Sequence, residues 1–148
     1  MQKIARVYYR DMKLRIKKLH PDAKIPKYAH HDDAGMDIYA VSKDVKDKYI
    51  EYGTGLAFEI PDDHVMFIYP RSSLSNKDLI MANHVGVLDA GYRGELKLRF
   101  RKIGDDVYEV GEKIGQIIIV PFPRVTFEEA DDLSETTRGS GGFGSTGK

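Results

Sequence analysis

The sequence predicts an all-β fold, a sandwich or barrel, from three observations. Between Val41 and Tyr69 the apolar segments are short and bounded by turn residues, a spacing that suits successive strands rather than alternating strands and helices. Leu96, Leu98 and Phe100 alternate with Lys97, Arg99 and Arg101, the period of a strand with one face in a core and the other in water. Only one short helix is plausible, Leu74 to Ala82, with Ser72 or Ser73 as its cap.

Size and charge set the limits. A chain of 148 residues is one domain by the usual prior, large enough for a real core. Lysine plus arginine and aspartate plus glutamate stand at 23 each, so no global field recruits nucleic acid or an anionic membrane, and neither is expected as a partner. With no cysteine there is no disulfide framework, thiolate metal site or cysteine nucleophile. The N-terminus lacks an uninterrupted apolar run, and a soluble, intracellular, cytoplasmic protein is the expectation.

Taken in order, Met1 to Leu19 reads as an extended arm leading into a strand, with Leu14 and Ile16 at period two. Pro21 and Pro26 break the chain. His30-His31-Asp32-Asp33 offers metal-binding residue types, but neighbours in sequence point apart and no third ligand follows at helical spacing, which favours a solvated loop. Strands follow at Tyr49–Tyr52 and Gly53–Ile60, then a turn at Pro61-Asp62-Asp63, then Val65–Tyr69, apolar throughout and expected to be buried on both faces. Arg71 beside the free N–H groups of the predicted helix would make an anion site; a plain cap with a surface arginine is the alternative.

Asn83 to Glu95 reads as a β-hairpin, two apolar arms around an acidic turn. Gly91 stands where that turn wants a positive φ, with Tyr92 directly after it. Asp89 either accepts N–H groups of its own turn or stands free beside the ring to activate a water. Turns are expected at Gly104-Asp105-Asp106 and Gly111-Glu112-Lys113. In Ile114–Val120 the only polar side chain is Gln116, whose amide must satisfy a neighbouring backbone or face a polar site. From Ser134 on, Gly, Ser and Thr dominate, so residues 1–133 form the β domain and 134–148 a mobile segment. Arg138, Phe143, Ser145 and Thr146 in that segment suit a lid, since hydroxyls and a guanidinium bind phosphate and a ring stacks on a base.

Five stretches together resemble the trimeric dUTPase (deoxyuridine 5'-triphosphate nucleotidohydrolase) family: Ala34-Gly35-Met36-Asp37-Ile38, Pro70-Arg71-Ser72-Ser73-Leu74, Gly86 to Gly94, Gly111 to Gln116, and Arg138 to Gly147. The resemblance spans essentially the whole chain. One departure is Ser73, where the family usually has glycine.

The resemblance implies a β jelly-roll (β-clip) barrel with the C-terminal lid over the site, assembled as a homotrimer with shared active sites. It implies a dUTP diphosphatase that keeps uracil out of DNA and supplies dUMP for dTMP synthesis. Water would attack the α-phosphorus, releasing dUMP and pyrophosphate, with Asp89 as general base and Gln116 positioning the water and α-phosphate. Uracil and deoxyribose would be bound by Asn83, the backbone around Val87, Leu88 and Lys97, the Tyr92 ring that excludes a 2′-hydroxyl, and Phe143 stacked on the base. The phosphates would meet Arg71, Ser72, Ser73, Gln116, Arg138, Gly144, Ser145 and Thr146. Asp37 would take a supporting role, pairing with a nearby arginine or a metal-bound water. Mg²⁺ would be bound through substrate phosphates and water, without direct protein ligands.

Two rivals stand beside this. The related dCTP deaminase shares the fold and an Arg-Ser-Ser-Leu stretch, but its catalytic glutamate aligns with Arg99, which cannot act as a carboxylate base. A regulatory protein using the nucleotide as a switch would instead form a nucleotide-dependent complex that survives mutation of Asp89.

Overall fold

The computed structural model describes residues 12–147, so the expected N-terminal arm lies largely outside the described residues. The described residues form ten strands: β1 (Arg15–Lys18), β2 (Met36–Tyr39), β3 (Ser42–Val45), β4 (Ile50–Gly53), β5 (Leu56–Glu59), β6 (His64–Tyr69), β7 (Leu79–Met81), β8 (Gly86–Leu88), β9 (Lys97–Lys102) and β10 (Lys113–Pro121). They build a β2-β10-β6-β8 sheet, a β3-β4-β9-β7 sheet and a β1-β5 ribbon, all antiparallel. The expected all-β, jelly-roll-like architecture is present. The two larger sheets enclose a core in which Ile38, Ile50, Tyr52, Met66, Leu98, Phe100, Ile114 and Ile117 are essentially inaccessible. Tyr52, Phe100 and Tyr108 meet edge to face, with centroids 5.4 to 6.0 Å apart, the geometry the ring quadrupoles favour. The Tyr52 hydroxyl donates to the Tyr108 carbonyl at 2.8 Å and accepts its N–H at 2.9 Å, which satisfies a buried polar group.

Three local expectations are corrected. The helix expected over Leu74–Ala82 is a 3₁₀ turn, Ser72–Asn76, preceded by Arg71 without any side-chain cap, and Leu79–Met81 is a strand. Ser75, Asn76 and Asp78 compete for backbone hydrogen bonds and weaken the helix, while pairing of Met81 with Phe100 rewards the strand. The hairpin expected over Asn83–Glu95 does not form: only Gly86–Leu88 of it is a strand, which joins β6, and residues 89–96 are irregular before β9 begins at Lys97 and joins β4 and β7. β8 and β9 belong to different sheets, so the segment between them splays open. Gly91 is not among the positive-φ residues, and a Cβ there would meet nothing within 4 Å. β6 is also less buried than its composition suggests, since Phe67 and Tyr69 are only half-covered on the outer sheet face.

Candidate active site

The outer face of the β2-β10-β6-β8 sheet carries a polar row, Asp37, Gln116 and Tyr69, in cross-strand register. Arg71 follows β6 after Pro70 and reaches back to this row. Its Nε donates to Asp37 Oδ1 at 3.0 Å and its Nη1 donates to Ser73 Oγ at 3.2 Å. Lys113 Nζ approaches Asp37 Oδ2, also at 3.0 Å, so both carboxylate oxygens carry a cation. The Asp37 and Arg71 side chains are 27% and 30% exposed, respectively, sheltered enough for the pair to hold its geometry yet open to an incoming anion. Gln116 Nε2 donates to the Pro70 carbonyl at 3.0 Å, and its amide oxygen lies over Gly35, where a Cβ would come within 2.6 Å of it. That amide therefore both satisfies a neighbouring backbone and faces the polar site, and a Cβ at position 35 would make it shift.

Asp89 lies past the end of β8. Its carbonyl accepts the Tyr92 N–H at 3.1 Å, whereas its exposed carboxylate takes no hydrogen bond from the described residues. The turn is thus closed by backbone, and the side chain stands free. Arg93 braces it: Nη1 donates to the carbonyls of Ala90 at 2.6 Å and Tyr92 at 3.1 Å, and Nη2 lies 3.8 Å from Glu59. The Tyr92 ring folds over Gly94, where any side chain would collide, and its hydroxyl donates to the Glu95 carbonyl at 3.2 Å.

Beside Asp89 and Tyr92 lies a cavity of about 330 Å³ whose lining also includes Asn83, Val87, Leu88 and Lys97. Two strand edges face into it. β8 is the last strand of its sheet, and β7 covers β9 only from Arg99 onward, which leaves Lys97 and Leu98 open on that side. Unpaired strand edges offer alternating N–H and C=O groups, a suitable reader for the polar edge of a planar base. The Lys97 ammonium is held by Glu51 at 3.2 Å, and Arg99 Nε donates to the same carboxylate at 2.9 Å. Burial pushes the Glu51 carboxyl up, but Arg99 and Lys97 outweigh it and hold the group below its ordinary 4.5.

A second cavity contains Arg71, Ser72, Lys77, His84 and Gln116. His84 holds a left-handed backbone, φ 31°, uncommon outside glycine though several-fold more frequent for His, Asn and Asp than for other side chains. The sequence reading missed His84, Lys77, Lys113 and the Arg93 brace. The fourth motif contained Lys113 and the third contained Arg93, but nothing in the sequence said which groups they would touch.

The tail residues are not brought to either cavity. Arg138 Nε donates to the Gly141 carbonyl at 2.9 Å, and the other hydrogen bonds of residues 136–147 also stay within that segment. Phe143 is fully exposed with φ 52°, followed by Gly144 at 85°. Ser145 and Thr146 are exposed as well. His30 and His31 lie in an exposed loop, in which the Asp33 carboxylate accepts the His30 N–H at 2.8 Å.

With this geometry in view, the dUTPase family profile matches residues 21–147. The chain belongs to the dUTPase family. It is 44% identical to a deoxyuridine 5'-triphosphate nucleotidohydrolase of Clostridium tetani, with 91% of this chain and 97% of that protein covered. A protein of the same name from Gloeothece citriformis is 45% identical over 92% and 97%. Among solved structures, the Staphylococcus bacteriophage 80alpha dUTPase with dUPNHPP superposes with a TM-score of 0.80 at 27% identity, over 92% of this chain and 99% of that one.

Proposed function

We propose that this member of the dUTPase family hydrolyses dUTP to dUMP and pyrophosphate, with Asp89 as general base. The observation that carries the assignment of roles is the unengaged Asp89 carboxylate at the mouth of a cavity edged by two open strands. Uracil would pair with the backbone of β8 and the start of β9, near Asn83, Val87, Leu88 and Lys97, and a slot of fixed donors and acceptors disfavours cytosine because buried groups would go unpaired. Tyr92, held over Gly94, would pack under the sugar. Asp89 would take a proton from water as the water attacks the α-phosphorus. Gln116 would orient that water through its amide, with Arg71, Ser72 and Ser73 on the phosphates. Arg138, Gly144, Ser145 and Thr146 would close on the chain of phosphates and Phe143 on the base.

The donor chemistry fits a metal carried by the substrate. Asp37 is matched by Arg71 and Lys113, so Mg²⁺ would be held by the phosphates and water, where it would neutralise charge. A homotrimer is supported by the same sheet. Asp37 on β2 and Asp89 beyond β8 flank opposite edges of it, about 14 Å apart on strand spacing alone, and the tail reaches neither. Next to the polar row, Ile118, Phe67 and Val87 form an apolar row on the outer face, with Val87 61% exposed, a surface suited to a second copy.

Incubation with Mg²⁺ and, separately, dUTP, dCTP, dTTP and UTP tests the activity. Pyrophosphate is expected from dUTP alone, with Asp89→Asn about 10³-fold slower; ammonia from dCTP would move the assignment to the deaminase. Asp89→Asn and Phe143→Ala proteins, each impaired, are expected to recover activity when unfolded together and reassembled, and verified mixed trimers without recovery would exclude shared sites.

A further inference from the structure

Arg71 carries the phosphate-binding role in the function proposed above, and its guanidinium is held at two separate nitrogens. Nε donates to Asp37 Oδ1 at 3.0 Å, and Nη1 donates to Ser73 Oγ at 3.2 Å, while Nη2 has no hydrogen-bond partner among the described residues. One anchor at Nε fixes where the fork sits but lets its plane turn. A second anchor at Nη1 fixes the plane, and orientation matters because a guanidinium meets phosphate through a planar fork.

The local chain explains why Ser73 is available for this. Arg71 is extended, at φ −80° and ψ 152°, and the 3₁₀ turn begins immediately after it without a side-chain cap. The hydroxyl of Ser75 donates to the Ser72 carbonyl at 2.7 Å. The Ser73 hydroxyl instead turns back on the guanidinium two residues earlier. Glycine, the usual family residue there, has no atom that could do so.

We propose that Ser73 is a positioning residue for Arg71: its oxygen accepts from Nη1, sets the plane of the guanidinium and leaves Nη2 to the phosphate chain of the nucleotide. The Ser73 proton remains free, so the hydroxyl can accept from Arg71 and donate outward at once. The inference rests on the dUTP reading, and its test separates the two.

Ser73→Ala, Ser73→Gly and Ser73→Thr are made in the full chain. For dUTP, the Ala and Gly variants are expected to raise KM about three- to tenfold, the size of one ordinary lost hydrogen bond, with kcat within about twofold. Thr restores the hydroxyl and is expected to restore KM. Calorimetry with inorganic pyrophosphate is expected to show the same loss, and with deoxyuridine none, since that ligand has no phosphate. In an Arg71→Lys background the Ser73→Ala change is expected to add less than twofold, because lysine has no fork to orient. Unchanged KM and pyrophosphate affinity in Ser73→Ala would overturn the proposal. So would an equal loss in the lysine background, which would make Ser73 a direct phosphate ligand only. If the unsubstituted protein did not turn over dUTP, the functional reading would fail while the pyrophosphate measurements still decided the role of Ser73.

Discussion

The Asp37–Arg71 cluster and the 138–147 tail hold similar chemistry, a guanidinium with serine hydroxyls, in opposite states of preparation. In the first, Arg71 is held by Asp37 and Ser73, and Asp37 in turn by Lys113. In the second, Arg138 bonds its own segment and Phe143 is fully exposed. The cluster sits on paired strands whose register dictates what faces what. The tail has turns but no sheet to lean on. In the function proposed above, order within one chain would mark the part of the site whose partners are local, and the tail would await ligand or another copy.

Removing the tail is the largest way to test that contrast. A chain ending at Leu133 is expected to lose about a hundredfold in kcat/KM, the scale of a mispositioned substrate, with Tm nearly unchanged because the hydrogen bonds of residues 136–147 stay within that segment. A large fall in Tm would show that the tail supports the fold. Asp37→Asn attacks the prepared half. It is expected to lower kcat/KM about tenfold through a loosened Arg71, and coupling with Ser73→Ala in a double-mutant cycle would sharpen the link, since both hold one guanidinium.

The smallest effect concerns Glu51, whose side chain is 16% exposed and bridges Lys97 and Arg99. Its carboxyl lies below the ordinary 4.5, so its contribution to stability is fully present above that value and is lost as pH falls through the lower folded value. Thermal melts of Glu51→Gln against the parent are expected to differ by a few degrees near neutral pH, with the gap closing on acidification. A gap independent of pH would assign the effect to packing.

Much of the fold was legible in the sequence where periodicity and packing agree. β9 buries Leu98 and Phe100 and exposes Lys97, Arg99 and Arg101, as its alternation implies. The motifs likewise pointed to Asp37 beside an arginine. What was illegible depended on partners distant in sequence. Leu79–Met81 becomes a strand because Phe100 and Arg101 are there to pair with it, a contact that local propensity does not encode. The splay of Asn83–Glu95 has the same origin: apolar arms announce strands but not which sheet receives each. Ser73 was visible as a departure, yet its bond to Arg71 required the 3₁₀ turn to be seen.

The open outer edge of β8 has a bearing on colloidal behaviour. A strand edge that can accept the polar rim of a base can also accept another extended chain, so this slot doubles as a site for unwanted edge-to-edge growth. Its brevity is the restraint: β8 has three residues, Gly86–Leu88, and runs straight into the charged turn at Asp89, too short and too acidic at its end to template a long ladder. The nucleotide, by occupying that edge, would act as a chaperone of the chain that consumes it.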